Sequence, residues 1–109
     1  MIDQRPVLDV RTYKCVPGGR NELVRIMTDE AVPMLRGYGI EVVAFGPSLR
    51  NDDHACLIRR FPSAAVRDEQ LARFYGSEEW VTAYEERVMA LIDAYHVVVI
   101  PEPARAALA

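Results

Sequence analysis

The chain has 109 residues, 50% apolar and 27% charged, with 13 basic against 16 acidic side chains and a formal charge of -3. A chain of this size supports one core and not two, since roughly two-thirds of its unfolded surface is buried on folding, and the composition is neither disordered nor fibrous. No apolar run approaches the roughly 20 residues that span a bilayer, and the dispersed Lys and Arg leave no electrostatic footprint for nucleic acid, so neither membrane nor nucleic acid is an expected partner.

In chain order, Val7 to Val16 predicts a strand with two unlike faces, Leu8, Val10 and Val16 on one and Asp9, Arg11 and Tyr13 on the other. Pro17-Gly18-Gly19 stops it. Leu23, Val24, Met27, Ala31, Met34, Leu35 and Tyr38 then recur at three- and four-residue steps, the stripe of a helix with one buried side. Pro33 lies inside that stripe and predicts a kink or break one turn earlier, and Gly37 and Gly39 end the helix. Ile40 to Gly46 is a second strand, Pro47 to Asp53 a polar connection, and His54 to Phe61 a third strand, with Cys56 and Ile58 pointing one way and Leu57, Arg59 and Phe61 the other. Ser63 caps a helix through about Phe74, Gly76 breaks it, and Ser77 caps another whose first turn holds Glu78 and Glu79. The stripe of that last helix is Trp80 and Val81, Tyr84, Val88, Leu91, Ile92 and Tyr95. His96 to Ile100 closes the fold as a fourth strand, so that residues 1–101 form a single domain and 102–109 a frayed tail.

The order β-α-β-β-α-β, with its second helical region split, predicts an α+β fold: a ferredoxin-like plait with a four-stranded antiparallel sheet and helices on one face. The other face, expected to carry Val43, Phe45, Leu57 and Phe61, would be an apolar patch that soluble monomers rarely leave bare. A second copy covering it would make a two-fold homodimer. Met1 to Pro6 has no apolar segment of the kind a secretion signal needs, and the expected location is cytoplasmic.

Three segments carry a family likeness. Asp9-Val10-Arg11-Thr12-Tyr13 with Pro17-Gly18, Val32-Pro33-Met34-Leu35 with Gly39-Ile40, and Glu79-Trp80 with Tyr84 follow one another in an order and spacing that resembles the NIPSNAP family, a branch of the dimeric α/β-barrel superfamily. The resemblance spans about Leu8 to Pro101. It implies a ferredoxin-like protomer, a barrel formed between two chains and a small cavity between sheet and helices. The superfamily includes cofactor-independent monooxygenases, small isomerases and cyclases, and haem enzymes, while NIPSNAP-like proteins mostly lack an assigned reaction. Where many relatives carry a His and a Trp in the third strand, this chain has Leu57 and Arg59, so a mechanism leaning on that His does not transfer.

Asp9, Arg11 and Tyr13 are expected to project from one strand face toward the barrel, with Asp9 orienting Arg11 through an ion pair. In the functional reading Arg11 orients an anionic or enolate oxygen, Tyr13 donates a hydrogen bond and Arg59 is a second cation. In the structural reading the same residues form a network that rigidifies the sheet or crosses the dimer seam. Trp80 and Tyr84, one helical turn apart, would wall a pocket with Phe45 and Phe61, or simply pack the core. The charged set Arg67-Asp68-Glu69 reads as a solvated helix face. His54 and His96 stand at expected element ends, and no metal-ligand grouping or GxGxxG spacing is present, so no metal, haem or nucleotide cofactor is expected. Cys15 and Cys56, far apart in the chain, read as small buried hydrophobes and not as nucleophiles or a disulfide framework. Together these residues predict a dimeric protein that binds a small aromatic or enolisable molecule, with cofactor-free oxygenation or isomerisation as the chemistry within reach. The alternative is a non-enzymatic interaction module whose barrel interior is filled by side chains.

Overall fold

The computed structural model describes residues 3–103; most of the expected C-terminal tail lies outside them. The elements are β1 (Val7–Cys15), α1 (Arg20–Ile26), a π turn (Met27–Ala31), α2 (Val32–Gly37), β2 (Glu41–Pro47), β3 (His54–Phe61), α3 (Ala64–Tyr75), α4 (Glu78–Ala83), α5 (Glu85–Met89) and β4 (Ile92–Pro101). The strands lie in the order β2-β3-β1-β4, and every neighbouring pair is antiparallel. This is the ferredoxin-like plait that the element order predicts.

The first helical run shows how the sequence fixes local form. Pro33 has no N–H to give the carbonyl of Asp29, four residues back, and its ring crowds that turn. The irregularity expected there is the π turn, in which the Val32 N–H reaches back to the Met27 carbonyl. At the far end Gly39 takes a φ of +81°, and two bonds close the helix, Ile40 N–H to Leu35 O at 3.1 Å and Gly39 N–H to Arg36 O at 3.0 Å. This is the Schellman arrangement, with Leu35 and Ile40 both buried beside it. The expected Ser caps are present: Ser63 Oγ accepts from Val66 N–H at 3.1 Å and Ser77 Oγ from Trp80 N–H at 3.2 Å.

Two boundaries differ from expectation. The second helical region ends at Met89, and Tyr84, with φ -127° and ψ -37°, interrupts it into α4 and α5. Ile92 and Tyr95 therefore belong to β4, which starts four residues before His96, and His96 sits inside that strand opposite Thr12. Tyr95 keeps the three- and four-residue spacing of the stripe by coincidence, and the run of β-branched residues after it decides the conformation.

The open sheet face also differs. Leu57 and Phe61 are both 0% exposed and lie under the helices, and Phe45, opposite Leu57, shares their side. Of the four residues expected on the bare face, Val43 alone is exposed, beside the bulge between Val42 and Ala44. The uncovered face instead carries Leu8, Val10 and Ile58, with Val98 opposite Val10 and Ile100 opposite Leu8. Both alternating sets of β3 are apolar, so alternation alone left the two sides interchangeable. For the same reason Asp9, Arg11 and Tyr13 point away from the uncovered face and toward the helices.

Candidate functional site

Asp9 and Arg59 stand opposite each other across β1 and β3, and both are fully buried. Arg59 donates from Nε and Nη2 to Asp9 Oδ1 at 3.2 and 3.0 Å, while Arg67 of α3 donates from Nε to Asp9 Oδ2 at 2.7 Å. Two guanidinium groups thus satisfy both oxygens of one buried carboxylate, as a charge out of water requires. Asp9 does not pair with Arg11, and Arg67 is no solvated helix residue: its side chain turns inward. Arg59 also donates from Nη1 to Tyr75 Oη at 3.0 Å, and its guanidinium lies 5.9 Å from the Phe61 ring centre.

Two residues along β1 from Asp9, Arg11 donates from Nη1 to the same Tyr75 oxygen at 3.2 Å. Its guanidinium lies between two phenol rings, 5.5 Å from the centre of Tyr75 and 5.0 Å from that of Tyr95. Arg11 makes no ion pair among the described residues, and its Nε is buried without an acceptor. It lines a cavity of about 300 Å³ between sheet and helices. Tyr13 joins it from β1, Met27 and Ala31 from the π turn, Leu35 from α2, and Phe74 and Tyr75 from α3. Trp80 of α4, Glu85, Val88 and Met89 of α5, and Ile92 and Tyr95 of β4 complete the wall. The bend at Tyr84 lets both short helices face this space. The Trp80 ring meets Phe74 at 5.1 Å and Tyr75 at 5.3 Å, and Tyr84 stacks on it at 5.8 Å while donating its hydroxyl to Glu30 at 3.0 Å.

Burial pushes the Tyr13 hydroxyl well above the usual tyrosine range, reinforced by Tyr75 and opposed by the positive charges of Arg11 and Arg59. Tyr13 is therefore a neutral donor at physiological pH. Burial likewise raises both cysteine thiols, which leaves neither primed as a nucleophile. His54 Nδ1 lies 2.6 Å from Asp53 Oδ1, and this contact holds the carboxyl below its ordinary range. Beside that pair, Lys14, Arg20, Asp52, Asp53 and Asp93 ring a second, polar hollow of about 570 Å³. Among the described residues no three His, Cys, Asp or Glu side chains gather to hold a metal.

Of the residues singled out by sequence, Arg11, Tyr13 and Trp80 line the cavity. Asp9 and Arg59 form the sealed cluster behind it, Tyr84 backs Trp80, and Phe45 and Phe61 belong to the core away from it. Tyr75, the shared acceptor of two arginines, escaped notice, although Leu71, Phe74 and Tyr75 keep the i, i+3, i+4 spacing of an inward face. Tyr95 escaped as a strand residue read as helical.

No protein-family model matches the chain, and none of the curated proteins does. Solved structures match it closely in shape. A NIPSNAP family protein from Agrobacterium tumefaciens superposes with a TM-score of 0.84 at 14% identity, covering 100% of this chain and 96% of that one. A second NIPSNAP family protein from the same organism, of unknown function, gives 0.82 at 21% identity over 94% of this chain and 91% of that one. A NIPSNAP-like domain protein from Burkholderia xenovorans gives 0.82 at 12% identity over 94% and 89%. The α+β fold of this chain is the one that NIPSNAP family proteins adopt.

Proposed function

We propose that the chain is a NIPSNAP-type protein of the cytoplasm that works as a homodimer and binds a small aromatic or enolisable organic molecule in the cavity between sheet and helices. The cavity carries the reading: about 300 Å³ of space walled by four aromatic rings besides Tyr13, with a guanidinium that has no acid partner among the described residues. Space of this size between sheet and helices weighs against an interaction module filled by its own side chains. Dimerisation through the uncovered sheet face is supported by Leu8, Val10, Ile58, Val98 and Ile100, which share that face. No helix of the described residues is long and apolar enough to cross a membrane.

The donor set favours stabilisation of a developing oxyanion. Arg11 supplies charge and Tyr13 a neutral O–H, both on a central strand in a mostly apolar wall. Neither a thiolate nor an imidazole stands on that wall, so the matching reactions are those in which an activated substrate brings its own reactivity: cofactor-independent monooxygenation or isomerisation. Native mass spectrometry of gently purified protein tests both halves, with dimers carrying the added mass of a small organic molecule as the expected result. A monomer removes the dimer. A bare dimer whose Trp80 fluorescence also ignores added aromatic compounds removes the pocket.

A further inference from the structure

We propose that the molecule held in the cavity is an apolar monocarboxylic acid whose carboxylate pairs with Arg11; this rests on reading the cavity as a ligand site. The chain shows the pairing it lacks. Arg59 spends its Nε and Nη2 edge on Asp9, at 3.2 and 3.0 Å, and gives Nη1 to Tyr75. Arg11 also gives Nη1 to Tyr75, yet its matching edge meets no carboxylate, and its Nε is buried with no acceptor. Nε has no accessible surface, so an acceptor from outside the chain would meet the guanidinium at Nη2, which makes no hydrogen bond among the described residues. A carboxylate oxygen there would make a charge-assisted hydrogen bond and supply the missing counter-charge.

No Asp or Glu among the described residues pairs with Arg11. Asp9 already serves both Arg59 and Arg67, and residues 1, 2 and 104–109 contain no Asp or Glu. Glu85 is the acid among the lining residues; it stands exposed on α5 and makes no ion pair with Arg11. One unpaired guanidinium balances one negative charge, and Glu85 opposes a second. The rest of the wall, including Met27, Leu35, Phe74, Trp80 and Val88, is apolar. At roughly 30 Å³ for a water-sized group, the space suits a body of about ten heavy atoms.

The test uses the full chain and Trp80, the single tryptophan, as reporter, with calorimetry alongside. Hexanoate, octanoate, benzoate and 3-phenylpropionate are titrated, each beside its neutral amide. At least one acid is expected to bind more tightly than its amide by about tenfold, the scale of one charge-assisted pair. In Arg11→Gln that preference should shrink to within about twofold while amide binding persists; Arg11→Lys, keeping charge without the fork, should retain part of it. Equal binding of acids and amides overturns the monocarboxylate and leaves the cavity reading standing. A preference that survives Arg11→Gln also overturns it, by placing the anion elsewhere. Silence toward every acid and amide overturns both.

Discussion

Arg59 and Arg11 stand on neighbouring strands, face the same helices and share one tyrosine hydroxyl, yet the fold treats them differently. Arg59 is sealed, opposite its own acid and beneath Phe61. Arg11 borders space, flanked by rings and lacking an acid among the described residues. Cross-strand register decides this: Asp9 faces Arg59, whereas Arg11 faces Leu57 on one side and Val97 on the other. The buried cation with an internal counter-charge is part of the architecture, and the half-buried one without is where the proposed ligand would pair.

Breaking the sealed end should cost most. Asp9→Asn leaves Arg59 buried without its charge partner, and urea unfolding should show a loss of about 3–5 kcal/mol; a loss below about 1 kcal/mol would mean Arg59 finds relief elsewhere. Tyr75→Phe removes the acceptor common to both arginines and should cost about 1.5–3 kcal/mol, with weaker acid binding as a second consequence. Alkaline pH acts on Tyr13. Its folded-state ionisation lies above the ordinary value of 10.0, so the folded chain keeps a proton the unfolded chain releases, and stability should fall as pH rises past 10. In Tyr13→Phe that fall should flatten; an unchanged slope would locate it in another group. Arg11→Leu should leave stability within about 1 kcal/mol, since no internal ion pair is lost, while removing the preference for acids over amides. The smallest effect belongs to Glu85→Gln, which should tighten acid binding by less than about threefold and only in low salt, as an exposed charge does.

Much of this was legible in the sequence because local rules governed it. Caps at Ser63 and Ser77, the glycine at 39 and the proline at 33 act within a few residues, and each element they bound was expected. The faces of β1 were read correctly as sets. Which set met the helices was not legible, since Leu57 with Phe61 and Cys56 with Ile58 are both apolar, and register is decided by partners far along the chain. The Asp9 partner was misjudged for a like reason: Arg11 is near in sequence, but Arg59 is directly across the sheet. Tyr75 required knowing that two strands and a helix end converge on one oxygen.

The π turn at Met27–Ala31 has a further consequence, which concerns helical phase. Each residue of an α-helix turns the chain by about 100°. The π turn holds one residue more than an α turn, its bond running from Val32 N–H to Met27 O, so deleting a single residue from 27–31 would return it to α form with α1 in phase, whereas adding one would rotate α1 by about that angle and swing Leu23 and Ile26 off the sheet. The segment should therefore tolerate substitution on its outer side and the loss of one residue yet refuse an added one, whereas the polar connection near Asn51 should accept insertions freely.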